Sequence, residues 1–263
     1  YNALQQGDFQ IKVKNLQIVN GGQSCMTILK TAEELEKNGQ ALPAQASVLI
    51  RLYELSSDND DAVLQITHAT NSQNPVDLKD LRANDVRQQQ LEQSIQNLGY
   101  SYRRKRMDAT TKATDITTGA AAEAVLAIWR KAPHQAKFLT REHFGKLYDT
   151  IFSESLNGAQ VVIAALLYRI AENHRRRPHD DDPLFVRYAS CFIAMQMGKR
   201  LLKALDIKLN GLDHRNFAQA RQWIEEQGEA VFVVSRQDID TALKALYGNQ
   251  EISVQQLSAT FRR

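Results

Sequence analysis

From Ile116 onward the sequence carries one helical pattern after another, and this succession constrains the fold more than any other feature. Apolar residues recur at three- and four-residue spacing over roughly Thr118 to Lys131, Thr140 to Phe152, Asn157 to Asn173, Leu184 to Leu205, Asn216 to Gln227, Ser235 to Tyr247 and Ser253 to Phe261. Turn or cap signals separate them: Pro133, Asn157-Gly158, Pro178 with Pro183, Asn210-Gly211, Gly228 and Gly248-Asn249. Each such helix has one apolar stripe to bury, so the pattern predicts a helical bundle.

The first part of the chain has a different period. Phe9, Ile11 and Val13 alternate with polar residues, and Leu16, Ile18 and Val19 follow Asn15, which reads as strand. Asn20-Gly21-Gly22 breaks that strand, and a helix is predicted over Gln23 to Lys37 with Cys25, Ile28, Leu29, Ala32 and Leu35 on its apolar side. A second strand is predicted over Ser47 to Leu55, completing a small α/β unit. Beyond it come a helix through Ala62, Val63 and Ile66, a polar loop at Asn71 to Val76, a helix over Leu78 to Leu98, and a basic strand from Tyr100 to Met107. The predicted fold class is therefore α+β: an α/β unit over residues 1–107, then a helical domain over residues 108–263, packed either as one unit or as two.

A hydrophobic share of 43% with 24% charged residues is that of an ordinary globular protein, which excludes disorder over most of the length. The net charge of +3 is too small to imply a nucleic-acid partner, so any such reading rests on local clusters. Two cysteines without paired spacing, Cys25 and Cys191, fit a reducing cytoplasm, and the stripe position of Cys25 predicts a buried thiol. No stretch has the apolar length of a membrane span. The chain opens on Tyr1 and enters a strand pattern within about ten residues, from which a fragment of a longer protein is expected.

Four clusters carry recognition chemistry. At Asn20, Gly21, Gly22, Gln23 and Ser24 a strand runs through glycines into a helix, where free N–H groups favour an anion; a plain tight turn is the alternative. Asn71, Gln73 and Asn74 supply amides that donate and accept at once, suited to a base edge or sugar, unless the loop caps itself. Polar residues interrupt the inward stripe of the following helix at Asn84 and Gln88, with Arg82 and Asp85 beside them, so this helix start either lines a pocket or forms a surface network. At Tyr102, Arg103, Arg104, Lys105 and Arg106 cations adjoin an aromatic ring, a composition for nucleic acid or for a charge-protected edge strand. The run from His174 to Asp182 lacks metal-site spacing and reads as a solvated, charge-balanced connector, so no metal is expected there. Asp77-Leu78-Lys79 has the acidic-x-Lys form of some nucleases, but helix-start caps account for its acid.

Taken together, Leu16-Gln17-Ile18-Val19-Asn20-Gly21-Gly22-Gln23-Ser24, Val48-Leu49-Ile50-Arg51-Leu52, Asn71-Ser72-Gln73-Asn74-Pro75-Val76 with Asp80-Leu81-Arg82 and Asp85, and Gly99-Tyr100-Ser101-Tyr102-Arg103-Arg104-Lys105 resemble the AIPR (abortive-infection phage-resistance) family. Relatives usually carry Thr in place of Ser24, and usually have a further region before the Val-Asn-Gly-Gly-Gln motif. The first α/β unit is more distantly similar to Asp-Gly-Gln-His-Arg proteins and the ParB/sulfiredoxin fold, with Asn20 in place of the Asp and Ser24-Cys25 in place of His-Arg. The AIPR resemblance implies bacterial defence against phage, often beside restriction-modification genes, and no settled catalytic activity or cofactor. The expected function is binding of nucleic acid or a nucleotide through the α/β part. The alternatives are a nuclease or nucleotide hydrolase completed by a missing N-terminal region, and a non-catalytic sensing or scaffold protein.

Overall fold

The computed structural model describes residues 18, 21–40, 43, 47–51, 78–104, 112–248 and 250–262. The chain divides into two compact units, Tyr1–Val76 and Asp77–Arg263. The division falls at the polar loop rather than near residue 107, so the helices after that loop and the basic strand belong to the second unit.

In the first unit, helix α1 spans Gly22–Lys37. Gly21 enters it at φ 81, and Gly39 leaves it at φ 67, letting the Gln40 N–H reach the Leu35 carbonyl at 2.8 Å. None of its residues is buried, and Cys25 is exposed, which corrects the expectation of a buried thiol. An apolar stripe tells which face of a helix would be covered; it does not supply the cover. Ser47 to Arg51 are not part of a sheet, and Val48, Leu49 and Ile50 are exposed. The first predicted strand apart from Ile18, the end of the second, the helix expected through Ala62, Val63 and Ile66, and the polar loop lie outside the described residues, so of the expected α/β unit the described residues include one helix.

The second unit begins with α2 (Leu78–Arg82) and α3 (Val86–Gln96). The single helix predicted over Leu78 to Leu98 is interrupted because Asp85 leaves the helical region (φ −59, ψ 141) and its carboxylate caps α3, accepting the Arg87 N–H at 2.8 Å. Strand β1 (Ser101–Arg103) pairs in parallel with β2 (Asp115–Thr117), Tyr102 opposite Ile116. Thr117 ends β2 and caps α4 (Thr118–Ile128), accepting the Ala120 N–H at 3.2 Å. Helix α5 (Pro133–Phe138) starts on Pro133, which therefore opens a helix as well as separating its neighbours. A 3₁₀ turn at Thr140–Glu142 and the short α6 (Tyr148–Ile151) replace the continuous helix predicted over Thr140 to Phe152. Then come α7 (Gly158–Arg176), α8 (Val186–Ala204), α9 (Phe217–Tyr247) and α10 (Val254–Thr260). Asn157 with Gln160, and Ser253 with Gln256, form reciprocal capping boxes on α7 and α10.

Helix α4 lies at the centre of the bundle, against both α7 and α8, which also pack on each other and on α9. Ala121, Ala122, Ala124 and Ala127, with Val125 and Leu126, are buried, and small side chains let neighbouring backbones come close. Gly198 marks the crossing of α8 on α4: a Cβ there would stand 2.3 Å from Ile128 Cγ2. Gly228 does not end a helix as predicted but sits inside the 31-residue α9, where a Cβ would stand 2.6 Å from Ile170 Cδ1 of α7. That glycine serves packing, and the helix propensity it costs, about 1 kcal/mol, is outweighed by the close approach. Among the described residues no helix is long and apolar enough to cross a membrane.

Candidate functional site

The glycine turn opens α1. The first helical bond is Cys25 N–H to Gly21 O at 3.0 Å, so the N–H groups of Gly22, Gln23 and Ser24 precede the ladder. Among the described residues no side chain caps them, and the first turn holds no acid. Among the described residues nothing lies within 4 Å of a Cβ built on Gly21 or Gly22, and Gln23 and Ser24 are exposed. The result is an open helix mouth with uncompensated positive dipole, able to receive an anion. Asn20, Asn71, Gln73 and Asn74, expected around this turn, lie outside the described residues.

Arg82, Asp85, Tyr102, Arg103 and Arg104 come together in the second unit as a connected network. Strand alternation turns Tyr102 inward, 4% exposed, between the exposed Ser101 and the half-buried Arg103. Its hydroxyl donates to Gln88 Oε1 at 2.7 Å, and Gln88 Nε2 donates to the Tyr148 hydroxyl at 3.2 Å. The polar position on the inward stripe of α3 is thus satisfied by tyrosines. The Tyr102 ring is buried within its own unit, so its faces are not open to a stacking base. Burial raises the pKa of both phenols, that of Tyr148 to about 12, so neither serves as a base at neutral pH.

The described cations of this segment, Arg103 and Arg104, have partners. Arg103 pairs with Asp115, whose carboxyl is held below its ordinary pKa by the Lys112 N–H, at 2.7 Å, and by Arg103. Arg104 pairs with Glu92 at 2.8 Å and donates to the Ala83 carbonyl. Arg82 stands 3.5 Å from Asp85 with its guanidinium 4.3 Å above the Tyr148 ring, and Arg87 reaches Asp149 at 2.6 Å. Lys105 and Arg106 lie outside the described residues. Chemically, this network joins α2, α3, β1 and α6.

Two buried clusters escaped the sequence reading. Glu172 of α7, 6% exposed, accepts from Ser190 Oγ at 2.7 Å, Arg175 Nε at 2.9 Å and Lys137 Nζ at 3.3 Å. Beside it Tyr168 donates to Glu123, and burial pushes the Cys191 thiol up to about 12, so it stays protonated and unreactive. The second cluster corrects the solvated connector expected at residues 174–182. His174 is 6% exposed and stacks on Phe232 of α9, ring centroids 3.8 Å apart. Its Nδ1 meets Asp182 Oδ2 at 2.6 Å and its Nε2 meets Glu229 Oε2 at 2.9 Å. Burial opposes protonation, but the two carboxylates outweigh it and hold His174 above its ordinary pKa. Asp182 also accepts from Arg236 NH1 at 2.6 Å and from the His179 N–H at 3.0 Å. One sequence signal pointed here: His174 stands three residues after Ala171 and seven after Leu167, on the buried face of α7.

Compared with known proteins, the chain matches one family model, described as AIPR protein, over residues 2–251. No curated protein and no solved structure matches it.

Proposed function

Since the chain belongs to the AIPR protein family, we propose that it serves in bacterial defence against phage by abortive infection, and that it binds the phosphate of a nucleotide or nucleic acid at the mouth of α1. One observation carries the ligand reading: the first turn of α1 is uncapped, free of acids and entered through Gly21 at φ 81. Three consecutive N–H groups then face outward with the helix dipole behind them, and Gln23 and Ser24 add side-chain donors. The amides of Asn71, Gln73 and Asn74 would read the base or sugar.

The test uses Gln23→Glu. A carboxylate in the first turn favours the helix by about 0.3–1 kcal/mol, so the fold is kept while a bound phosphate is repelled. Titration with a nucleoside triphosphate, single-stranded DNA and RNA should show affinity falling at least tenfold, and cells carrying the variant should lose protection in a plaque assay. Wild-type protein that binds none of these ligands, or a variant that binds equally well, refutes the ligand reading.

A second reading is favoured by the network around Tyr102. Arg104 and Tyr102 are engaged by Glu92, Ala83 and Gln88 of their own unit, as expected of a sensing or scaffold protein whose polar motifs stabilise the fold. Affinity for nucleic acid that is unchanged when Arg103 and Arg104 are replaced by Ala, across a salt titration, supports it.

A further inference from the structure

We propose that His174, His179 and Asp182 form a zinc site where α7 meets its connector to α8, with Glu229 of α9 orienting His174 from behind. The site is independent of the turn at α1. The ligand atoms of the three residues all lie within 4.8 Å of one another. The pairing of His174 Nδ1 with Asp182 Oδ2 at 2.6 Å aims an imidazole nitrogen and a carboxylate oxygen at one shared position, which a cation can occupy. A proton fills that role at the observed separation. Zinc ligands in tetrahedral geometry stand about 3.3 Å apart, so a modest opening of this pair, with His179 closing in, replaces the proton by the metal.

The surroundings already have the form of a metal site. Glu229 Oε2, 2.9 Å from His174 Nε2, takes the N–H on the far side of the ring, which leaves Nδ1 as the ligating lone pair. Phe232 stacks on the same ring at 3.8 Å and holds its plane. Arg236 donates to the second oxygen of Asp182 at 2.6 Å, fixing that carboxylate while Oδ2 stays directed at His174. The His179 ring lies 4.4 Å from that of His174 and is exposed, so the fourth coordination position opens to solvent. Charge agrees as well. Once the metal displaces the His174 proton, the carboxylates of Asp181, Asp182 and Glu229 outnumber the guanidinium of Arg236 that pairs with them, a balance that favours a divalent cation. Two imidazoles and one carboxylate suit zinc over calcium or magnesium, which take oxygen.

The experiment uses the whole chain without a histidine tag, stripped by chelator, with Co²⁺ as optical probe and Zn²⁺ in calorimetry. The wild type should bind one equivalent of Co²⁺ with the intense visible absorption of a four-coordinate ion, and Zn²⁺ should abolish that absorption. His179 is exposed, so His179→Ala should keep the far-UV circular dichroism of the wild type and lose the absorption. Glu229→Ala should weaken Zn²⁺ binding by about 10–100-fold. The proposal is overturned if the wild type shows no saturable binding of either ion, or if His179→Ala binds Zn²⁺ as the wild type does.

Discussion

Replacing Tyr102 with Phe removes one oxygen from the interior of the second unit, and the surrounding geometry sets the consequence. That hydroxyl donates to Gln88 Oε1 at 2.7 Å, and Gln88 is 1% exposed, so no water can take its place. A neutral hydrogen bond contributes about 1 kcal/mol net, and a buried acceptor left without a donor costs about 1–3 kcal/mol. Tyr102→Phe should therefore destabilise the unit by roughly 1–3 kcal/mol. Gln88→Leu should cost a similar amount, because it strands the Tyr102 hydroxyl, while Tyr148 keeps the Asp85 carboxylate. The double variant leaves no orphan between positions 88 and 102, so it should fall short of the sum by about 1–2 kcal/mol. Urea unfolding followed by tryptophan fluorescence measures this directly. The chain's two tryptophans, Trp129 and Trp223, both lie in this unit, and the Trp129 indole is bonded to Gln160 O at 2.8 Å. A Tyr102→Phe loss below about 0.5 kcal/mol, or strict additivity in the cycle, would refute the buried-network reasoning.

Thiol labelling should distinguish the two cysteines: a maleimide at about pH 8 should modify exposed Cys25 alone in the native chain and both after unfolding, since burial pushes Cys191 up to about 12. Two labels on the native protein would contradict the packing of α8. For Glu172, burial raises the pKa but Ser190, Lys137 and Arg175 outweigh it, leaving the folded value below the ordinary one. Such an acid adds stability above its unfolded pKa of about 4.3 and loses it as pH falls through the folded value. Glu172→Gln should thus unfold at lower urea than wild type near neutral pH, with the gap closing on acidification; a gap constant down to about pH 3 would disprove the assignment. Gly198→Ala gains about 1 kcal/mol of helix propensity but forces a methyl into Ile128 and to within 3.2 Å of Trp129. A net loss of up to about 2 kcal/mol is expected, and a variant more stable than wild type in thermal unfolding would count against the close approach of α4 and α8.

The sequence by itself determined most of the helical segments of the second unit and the turn into α1, because those signals are local. A capping side chain such as Asn157 or Ser253 satisfies N–H groups within three residues, and Gly21 takes positive φ without help from distant chain. AIPR membership was legible for the same reason, since its motifs are short runs of neighbouring residues. What tertiary structure decided is which way side chains face and whom they meet. Gly228 reads as a stop until Ile170 is seen against it, and α9 then runs through. Tyr102 belongs to a basic run in sequence, yet pairing with Ile116 and the nearness of Gln88 turn it into the core. His174, Glu229 and Arg236 lie on two helices far apart in sequence. Only the packing of α7 on α9 brings them to one buried carboxylate, Asp182, and no pattern shorter than that separation encodes it.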